Sequence, residues 1–191
     1  MNTVRIGLAN SLRGEVKVPG DKSISHRAVI LTSISEGKSR IKGFLPADDT
    51  LRTCRALEAM DILIEGSEKE ELIVHGKGLG GLREPEDVLD LGNSGTSIRL
   101  LTGVLSGQGF FSVLTGDESL RRRPMKRVTG PLRTMGAEIN GRGDGSYAPL
   151  AIKGSPLNPI NYDSPVPSAQ VKSSLLLAGL YAEGETTVSE P

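Results

Sequence analysis

The chain has 191 residues with 23 basic and 23 acidic side chains, so its formal net charge is zero at neutral pH. This balance excludes a global positive field for nucleic acid or membranes, and the 3% aromatic content argues against base-stacking surfaces. The single cysteine, Cys54, rules out an intramolecular disulfide and is expected to pack in the core. The longest apolar run, 175–182, is too short to span a bilayer, and no signal peptide is expected.

The chain begins with alternating residues and continues with a regular order of helices and strands. Apolar and polar residues alternate weakly from Val4 to Val18, which predicts one or two short strands ending at Pro19. Helical spacing and cap residues then predict five elements after these strands, so that a unit reads β-α-β-α-β-β. They are a helix from about Ser25 to Ser35, a strand over 39–44, a helix from Asp48 to about Met60, and strands over 62–65 and 71–75.

The stretch PGDKSISHR, residues 19–27, combines a glycine bend with the start of the first helix. Lys22, Ser23 and Ser25 lie at that start, and Arg27 lies one turn inside the helix. Free backbone N–H groups and the helix dipole attract anions to such a position. The Walker A pattern is absent, so this is not a P-loop. The stretch taken alone fits a phosphate or carboxylate site and fits a capped helix with surface charges equally well.

The same order of elements starts again in the middle of the chain, where LRTMGAEI resembles LEAMDILI and PLAIKG resembles ELIVHG. Pro124 suits the first turn of a helix, whereas Pro131 is expected to kink or break that helix. The predicted elements are a helix ending at Gly107, a strand over 110–115, a helix opening at Arg123-Pro124, and strands over 137–140 and 149–153.

A third copy opens at Ser168 with a helix stopped at Glu183-Gly184, and a strand over 186–188 follows. It lacks the second helix and the final strands, and repeats normally stack to bury a shared core. We therefore expect the chain to be a piece of a longer protein. Three β-α-β-α-β-β units around one axis would bring their first-helix starts together. The starts within PGDKSISHR, GNSGTSIR (92–99) and SAQVKS (168–173) would then form one anion-binding cleft.

Five ordered motifs resemble the 5-enolpyruvylshikimate-3-phosphate synthase (3-phosphoshikimate 1-carboxyvinyltransferase) family: PGDKSISHRA, LGNSGTSIRLL, GDESLRRRPMKRV, LRTMGAEI and SAQVKSSLLLAGL. The resemblance covers nearly the whole chain. It implies an α/β fold, the inside-out α/β barrel of the enolpyruvyl transferases, with two full units and part of a third. Residues 1–18 would supply strands to the other domain of the full enzyme, and 19–191 would form most of one domain. Its units would span about 19–80, 81–158 and 159–191.

The resemblance implies transfer of the enolpyruvyl group from phosphoenolpyruvate to the 5-hydroxyl of shikimate 3-phosphate, with release of phosphate, in the shikimate pathway to aromatic amino acids. It assigns Lys22, between the two substrates, as the catalytic residue. The residues that match shikimate 3-phosphate contacts are Lys22, Ser23, Arg27, Ser168 and Gln170. Those that match phosphoenolpyruvate contacts are Lys22, Asn93, Gly95, Arg123 and Gln170.

Other residues near these motifs have less specific roles. Arg99 and Lys172 are expected either to line the cleft or to cover its rim, and His26 and His75 are not expected to be catalytic. Solvated surface charges are expected at Arg121, Arg122, Lys126 and Arg127. Departures from the residues of many relatives, which leave the response to glyphosate open, occur at Ser94, Ser97, Ile98, Leu100 and Ala169.

Two alternatives remain. UDP-N-acetylglucosamine enolpyruvyl transferase shares the fold, but it usually has a reactive cysteine in the loop where this chain has 118–122, and Lys-Asn in place of Lys22-Ser23. The second alternative is a fragment that binds phosphate esters without turnover. No cofactor or metal is expected, because no metal-ligand spacing occurs. The expected partners are the two substrates and the remaining C-terminal half of the enzyme, with no nucleic acid or membrane. We expect the complete enzyme to be a cytoplasmic monomer.

Overall fold

The computed structural model of the chain describes residues 3–8 and 11–191. The first unit has two helices and three strands, and its strands form an antiparallel sheet in the order β1-β3-β2. Its elements are α1 (Lys22–Ser33), β1 (Glu36–Lys42), α2 (Asp48–Glu58), β2 (Leu63–Glu65) and β3 (Glu71–Lys77). Each element predicted for this unit is confirmed, with bounds shifted by up to three residues.

The second unit repeats this order and adds a strand before its first helix. Its elements are β4 (Leu89–Asp90), α3 (Gly95–Ser106), β5 (Phe111–Thr115), α4 (Glu118–Arg121), α5 (Lys126–Thr134), β6 (Glu138–Gly141), α6 (Arg142–Gly145) and β7 (Tyr147–Lys153). The sheet order is β4-β5-β7-β6, in which β4 runs parallel to β5 and the other pairs are antiparallel. The β5-β7-β6 part therefore matches β1-β3-β2, which confirms the predicted repeat.

The third unit contains only its first three elements: β8 (Asn161–Asp163), α7 (Ala169–Gly179) and β9 (Thr187–Ser189). Strand β8 pairs in parallel with β9, as β4 pairs with β5 in the second unit. The short strands β4 and β8 correspond to the first strand of the predicted β-α-β-α-β-β unit, but no residues were assigned to them, because two or three residues are too few to show an alternating pattern.

The strands predicted between Val4 and Val18 are not formed by the described residues of that segment, 4–8 and 11–18; residues 9 and 10 lie outside the described part. A strand needs a neighbouring strand to satisfy its backbone N–H and C=O groups. The described apolar side chains here are 75–100% exposed, as a strand without a partner would be: Val4, Ile6, Leu8, Leu12, Val16 and Val18.

The helix predicted to open at Arg123-Pro124 begins instead at Lys126. Asp117 caps the short helix α4, accepting a hydrogen bond from the Leu120 N–H at 2.7 Å, so Arg123 and Pro124 lie in the link between two helices. The break expected at Pro131 is not formed, and α5 continues to Thr134. Proline removes one main-chain hydrogen bond, and burial of Pro131 itself in the core offsets that loss.

Helix α3 lies at the centre of the core. Every residue from Gly95 to Ser106 is buried except Arg99, and α3 packs most extensively on α7. Gly103 permits this contact, because a Cβ there would lie 2.2 Å from the Ser174 main-chain oxygen. The predicted core position of Cys54 is confirmed, since its thiol is free and buried, and burial raises its pKa to about 12.

Candidate active site

The start of α1 lies against the start of α2. Asp21 caps α1 by accepting the Ile24 N–H at 2.7 Å, which leaves Lys22 in the first turn. The Lys22 Nζ donates to Asp49 Oδ2 at 2.9 Å, and half of the lysine side chain is exposed (50%). Asp49 is the second residue of α2. The ion pair therefore joins two helix starts while the lysine stays accessible to a ligand.

Below this ion pair, a chain of buried polar side chains leads from α1 to α3. His26 Nδ1 lies 2.8 Å from Thr53 Oγ1, which lies 2.6 Å from Ser97 Oγ. Ser97 Oγ donates to Ser94 Oγ at 2.6 Å, and Ser94 is the N-cap of α3. Burial is the largest influence on the imidazole and lowers the pKa of His26 to about 4, so the ring is neutral at physiological pH.

Two guanidinium groups approach Gly95 at the start of α3. A Cβ at Gly95 would lie 2.7 Å from Arg99 Nη1 and 2.8 Å from Arg123 Nη1. Among the described residues, neither arginine forms an ion pair with a carboxylate. Burial, followed by the charges of Arg123 and Arg127, lowers the pKa of the Arg99 guanidinium. An anion bound beside Gly95 would compensate this positive charge.

Asn93 holds Arg123 in place. Its Oδ1 accepts a hydrogen bond from Arg123 Nη2, and its Nδ2 donates to Asp117 Oδ2 at 2.7 Å. The Leu120 N–H, followed by this amide, lowers the pKa of the Asp117 carboxyl. The charged Asp117 orients the Asn93 amide, and the amide orients the guanidinium beside Gly95.

Arg99 also connects α3 with the start of α7. Its Nη1 donates to the Gly95 main-chain oxygen and to Gln170 Oε1, both at 2.9 Å. Gln170 Nε2 donates to Thr96 Oγ1 at 2.9 Å, which closes the loop back onto α3. Arg99 Nη2 reaches the Pro124 main-chain oxygen at 3.3 Å. One guanidinium thus joins the α3 start, the α7 start and the link before α5.

The carboxylate of Glu190 contacts the start of α7. Ser168 caps the helix by accepting the Val171 N–H, and its own main-chain N–H donates to Glu190 Oε1 at 3.0 Å. The other carboxylate oxygen of Glu190 accepts from Lys172 Nζ. These hydrogen bonds, that of Lys172 first, lower the pKa of the Glu190 carboxyl. Lys172 therefore lies at this rim in an ion pair.

The structure brings most of the predicted site residues together. Lys22 contacts Asp49, whose main-chain oxygen lies 3.3 Å from Ser97 Oγ, two residues beyond Gly95. The Arg99 contacts then reach Gln170. Within the described part of the chain, Ser23 and Arg27 form no hydrogen bond to this network. Ser23 is exposed on α1, and Arg27 lines a groove between α1 and α7.

The family model described as EPSP synthase (3-phosphoshikimate 1-carboxyvinyltransferase) matches residues 7–191. The chain belongs to the EPSP synthase family. It is 59% identical over 191 residues to the 3-phosphoshikimate 1-carboxyvinyltransferase of Geobacter sp. (strain M21), covering 100% of this chain and 44% of that protein. The enzyme of the same name from Pelotomaculum thermopropionicum is 57% identical over 187 residues, covering 98% and 43%.

Solved structures agree with this family assignment. An EPSP synthase structure from Acinetobacter baumannii superposes with a TM-score of 0.90 at 51% sequence identity, covering 93% of this chain and 40% of that one. The expected fold, the inside-out α/β barrel of the enolpyruvyl transferases, is confirmed, with two full units and part of a third. The chain spans less than half the length of these EPSP synthases.

Sequence reasoning missed several residues that build this candidate site. Asp49 was predicted only as part of the helix that begins at Asp48, Thr53 was not singled out, and Arg99 was expected either to line the cleft or to cover its rim. Within residues 3–8 and 11–191, no group of three His, Cys, Asp or Glu side chains is arranged to hold a metal ion. In the same ranges, no helix has the length and apolar character needed to cross a bilayer.

Proposed function

We propose that the complete enzyme containing this chain transfers an enolpyruvyl group from phosphoenolpyruvate to the 5-hydroxyl of shikimate 3-phosphate, releasing phosphate in the shikimate pathway of the cytoplasm. Two guanidinium groups without a carboxylate partner among the described residues, Arg99 and Arg123, meet at Gly95, and this observation carries the proposal. Both substrates are polyanions, and such a site would stabilise phosphate or carboxylate charge. The membership of the chain in the EPSP synthase family supports the same reaction.

The site residues are divided between the two substrates. Phosphoenolpyruvate would lie against Gly95, and its charges would be held by Arg123, with Asn93 in the same turn. Shikimate 3-phosphate would lie toward α1 and α7, and its contacts would come from Lys22, Ser23, Arg27, Ser168 and Gln170. Lys22 and Gln170 would contact both ligands, which agrees with the contacts that join the α1 and α7 starts to Gly95.

The reaction would proceed by addition and elimination. The 5-hydroxyl oxygen bonds to C2 of phosphoenolpyruvate, loses its proton, and C3 gains a proton, which gives a tetrahedral intermediate. The C2–O bond to phosphate then breaks and C3 loses a proton, which restores the double bond. Lys22, as the catalytic residue, would stabilise charge on the phosphate and transfer a proton. Its position at the helix start adds the favourable end of the helix dipole.

We expect this chain alone to bind shikimate 3-phosphate with a Kd of roughly millimolar, about −4 kcal/mol, and to release no phosphate. The cations described above are present, but the chain spans only 44% of a full-length relative. Isothermal titration measures the binding, and a phosphate assay with both substrates measures turnover. Phosphate release above the background of a Lys22→Ala variant would contradict the expectation.

We also propose that residues 19–191 form most of one domain, which the helix packing supports, and that 1–18 belong to the other, which fits the exposed apolar side chains in the described part of that segment. Helix α2 packs on α1 and α3, and α5 packs on α3 and α7. The equivalent third position, between α7 and α1, is an apolar groove of about 220 Å³. Its lining is Arg27, Leu31, Ser173, Leu176, Leu177 and Leu180. In the complete enzyme, the second helix of the third unit would occupy this groove.

A cysteine introduced in this groove tests the assignment. In the Leu176→Cys variant of this chain, a thiol reagent should label residue 176 rapidly, because Leu176 is 46% exposed. In the complete enzyme the same cysteine should react at least about tenfold more slowly, because the proposed helix would bury it. The buried Cys54 provides the unreactive control. Equal labelling rates in the two proteins would contradict the assignment.

A further inference from the structure

Helices α1 and α2 are joined by two side-chain contacts one helical turn apart. The outer contact is the Lys22–Asp49 ion pair at 2.9 Å. The inner contact joins His26 Nδ1 to Thr53 Oγ1 at 2.8 Å, with each residue four positions further along its helix. Residues four apart lie on the same face of a helix. The histidine contact therefore lies directly beneath the lysine that the proposed reaction requires.

The inner contact continues to the turn that holds Gly95. Thr53 Oγ1 lies 2.6 Å from Ser97 Oγ, and Ser97 Oγ donates to Ser94 Oγ at 2.6 Å. His26, Thr53, Ser94 and Ser97 are each 0% exposed. Water therefore does not compete for these hydrogen bonds, and a buried network of this kind holds its elements in one arrangement.

The positions of the protons on His26 and on the hydroxyl groups follow from their hydrogen-bond partners. His26 Nε2 is buried and has no hydrogen-bond partner among the described residues. A proton on Nε2 would leave a buried N–H unpaired, whereas a proton on Nδ1 leaves only a lone pair. With the proton on Nδ1, His26 donates to Thr53, Thr53 donates to Ser97, and Ser97 donates to Ser94, so the hydroxyls of Thr53 and Ser97 each have both a donor and an acceptor.

We propose that His26 is a positioning residue, whose neutral Nδ1–H tautomer holds the start of α1 against the start of α3 through Thr53 and Ser97. The distance between Lys22 and the Gly95 turn is then set by this buried hydrogen-bond network rather than by the exposed Lys22–Asp49 ion pair. The proposal rests on the proposed function, because it treats Lys22 and Gly95 as parts of one substrate site.

Nitrogen chemical shifts of the two histidines in this chain test the tautomer without any ligand. His26 should show a protonated Nδ1 and an unprotonated Nε2, and its signals should remain those of a neutral ring at pH 7. His75, whose Nε2 lies 2.6 Å from Glu65 Oε1 at the surface, provides the internal reference. A proton on Nε2 of His26 would overturn the assignment whatever substrate the protein uses.

Paired substitutions test the positioning role. His26→Asn keeps a side-chain N–H at the same number of bonds from Cα, whereas His26→Leu removes it. We expect the leucine variant to bind shikimate 3-phosphate about tenfold more weakly than the unchanged protein, because loss of the His26–Thr53 hydrogen bond would let the start of α1 move away from the start of α3. The asparagine variant should remain within about twofold of the unchanged chain. Equal affinity of the leucine variant and the unchanged chain would overturn the role.

Two further measurements separate the possible failures. If His26→Leu does not fold, Thr53→Val interrupts the same hydrogen-bond network at its middle. Thr53→Ser is the control that keeps the hydroxyl. If the unchanged protein binds no shikimate 3-phosphate, the proposed binding is wrong. The positioning role of His26 is then tested by the amide chemical shifts of Lys22 and Gly95. Both shifts should change in the leucine variant and stay constant in the asparagine variant; two constant shifts in the leucine variant would overturn it.

Discussion

Replacing Lys22 by alanine in the complete enzyme should lower kcat by about 10²–10³-fold, the usual effect of removing one preorganised charge from a transition state. Lys22 is held by Asp49 at a helix start, and half of its side chain remains exposed to a ligand. The alanine variant keeps the fold, because no core side chain is lost. Steady-state kinetics with both substrates measure the effect on kcat and on each KM.

Lys77→Ala is the matched control for Lys22→Ala. Lys77, the last residue of strand β3, also forms a partly exposed ion pair with an aspartate, since its Nζ lies 2.5 Å from Asp61 Oδ2. Exposed ion pairs of this kind contribute little to stability, about 0–1 kcal/mol. The control should leave kcat within about twofold. An unchanged kcat in Lys22→Ala would show that Lys22 is not a catalytic residue.

Replacing Gly95 by alanine should raise the KM for phosphoenolpyruvate by roughly 10–100-fold. The added Cβ would lie within 2.8 Å of both Arg99 Nη1 and Arg123 Nη1, so the two guanidinium groups must move apart. Overpacking typically costs about 1–3 kcal/mol, and each 1.4 kcal/mol corresponds to about tenfold in affinity. The KM for shikimate 3-phosphate should change less, because its contacts are proposed toward α1 and α7.

Gly109→Ala is the matched control for Gly95→Ala. A Cβ at Gly109, in the link after α3, meets no other atom within 4 Å. This variant should retain both KM values within about twofold, since it adds the same methyl group without displacing a cation. A Gly95→Ala enzyme with unchanged KM for phosphoenolpyruvate would show that the two arginines do not hold that substrate.

The α1, α3 and α7 helices follow from local sequence patterns. Asp21, Ser94 and Ser168 each cap a helix through a hydrogen bond to an N–H three residues later. These bonds involve neighbours along the chain, so composition and spacing were enough to predict that helices begin near these residues. The start of the second helix of the second unit was predicted three residues too early, because the Arg123-Pro124 signal suited a helix start equally well and the Asp117 cap of α4 was not recognised.

The contacts that join these helices depended on tertiary structure. Arg99 and Gln170 are 71 residues apart along the chain, and Thr53 and Ser97 are 44 apart. An isolated arginine or threonine in a helix carries no local signal for such a partner. The role of Arg99 therefore stayed open at the level of sequence, and the contact between His26 and Thr53 was not anticipated.

The repeated unit, the three helix starts and the family could be predicted from the sequence, because helical periodicity, caps and ordered motifs are properties of nearby residues. The convergence of two arginines on Gly95 and the burial of His26 beneath Lys22 depend instead on long-range packing. Long-range packing also decides that residues 4–8 and 11–18 form no strand, because a strand exists only where another strand is available to pair with it. Each of these outcomes depends on which distant surfaces are brought into contact.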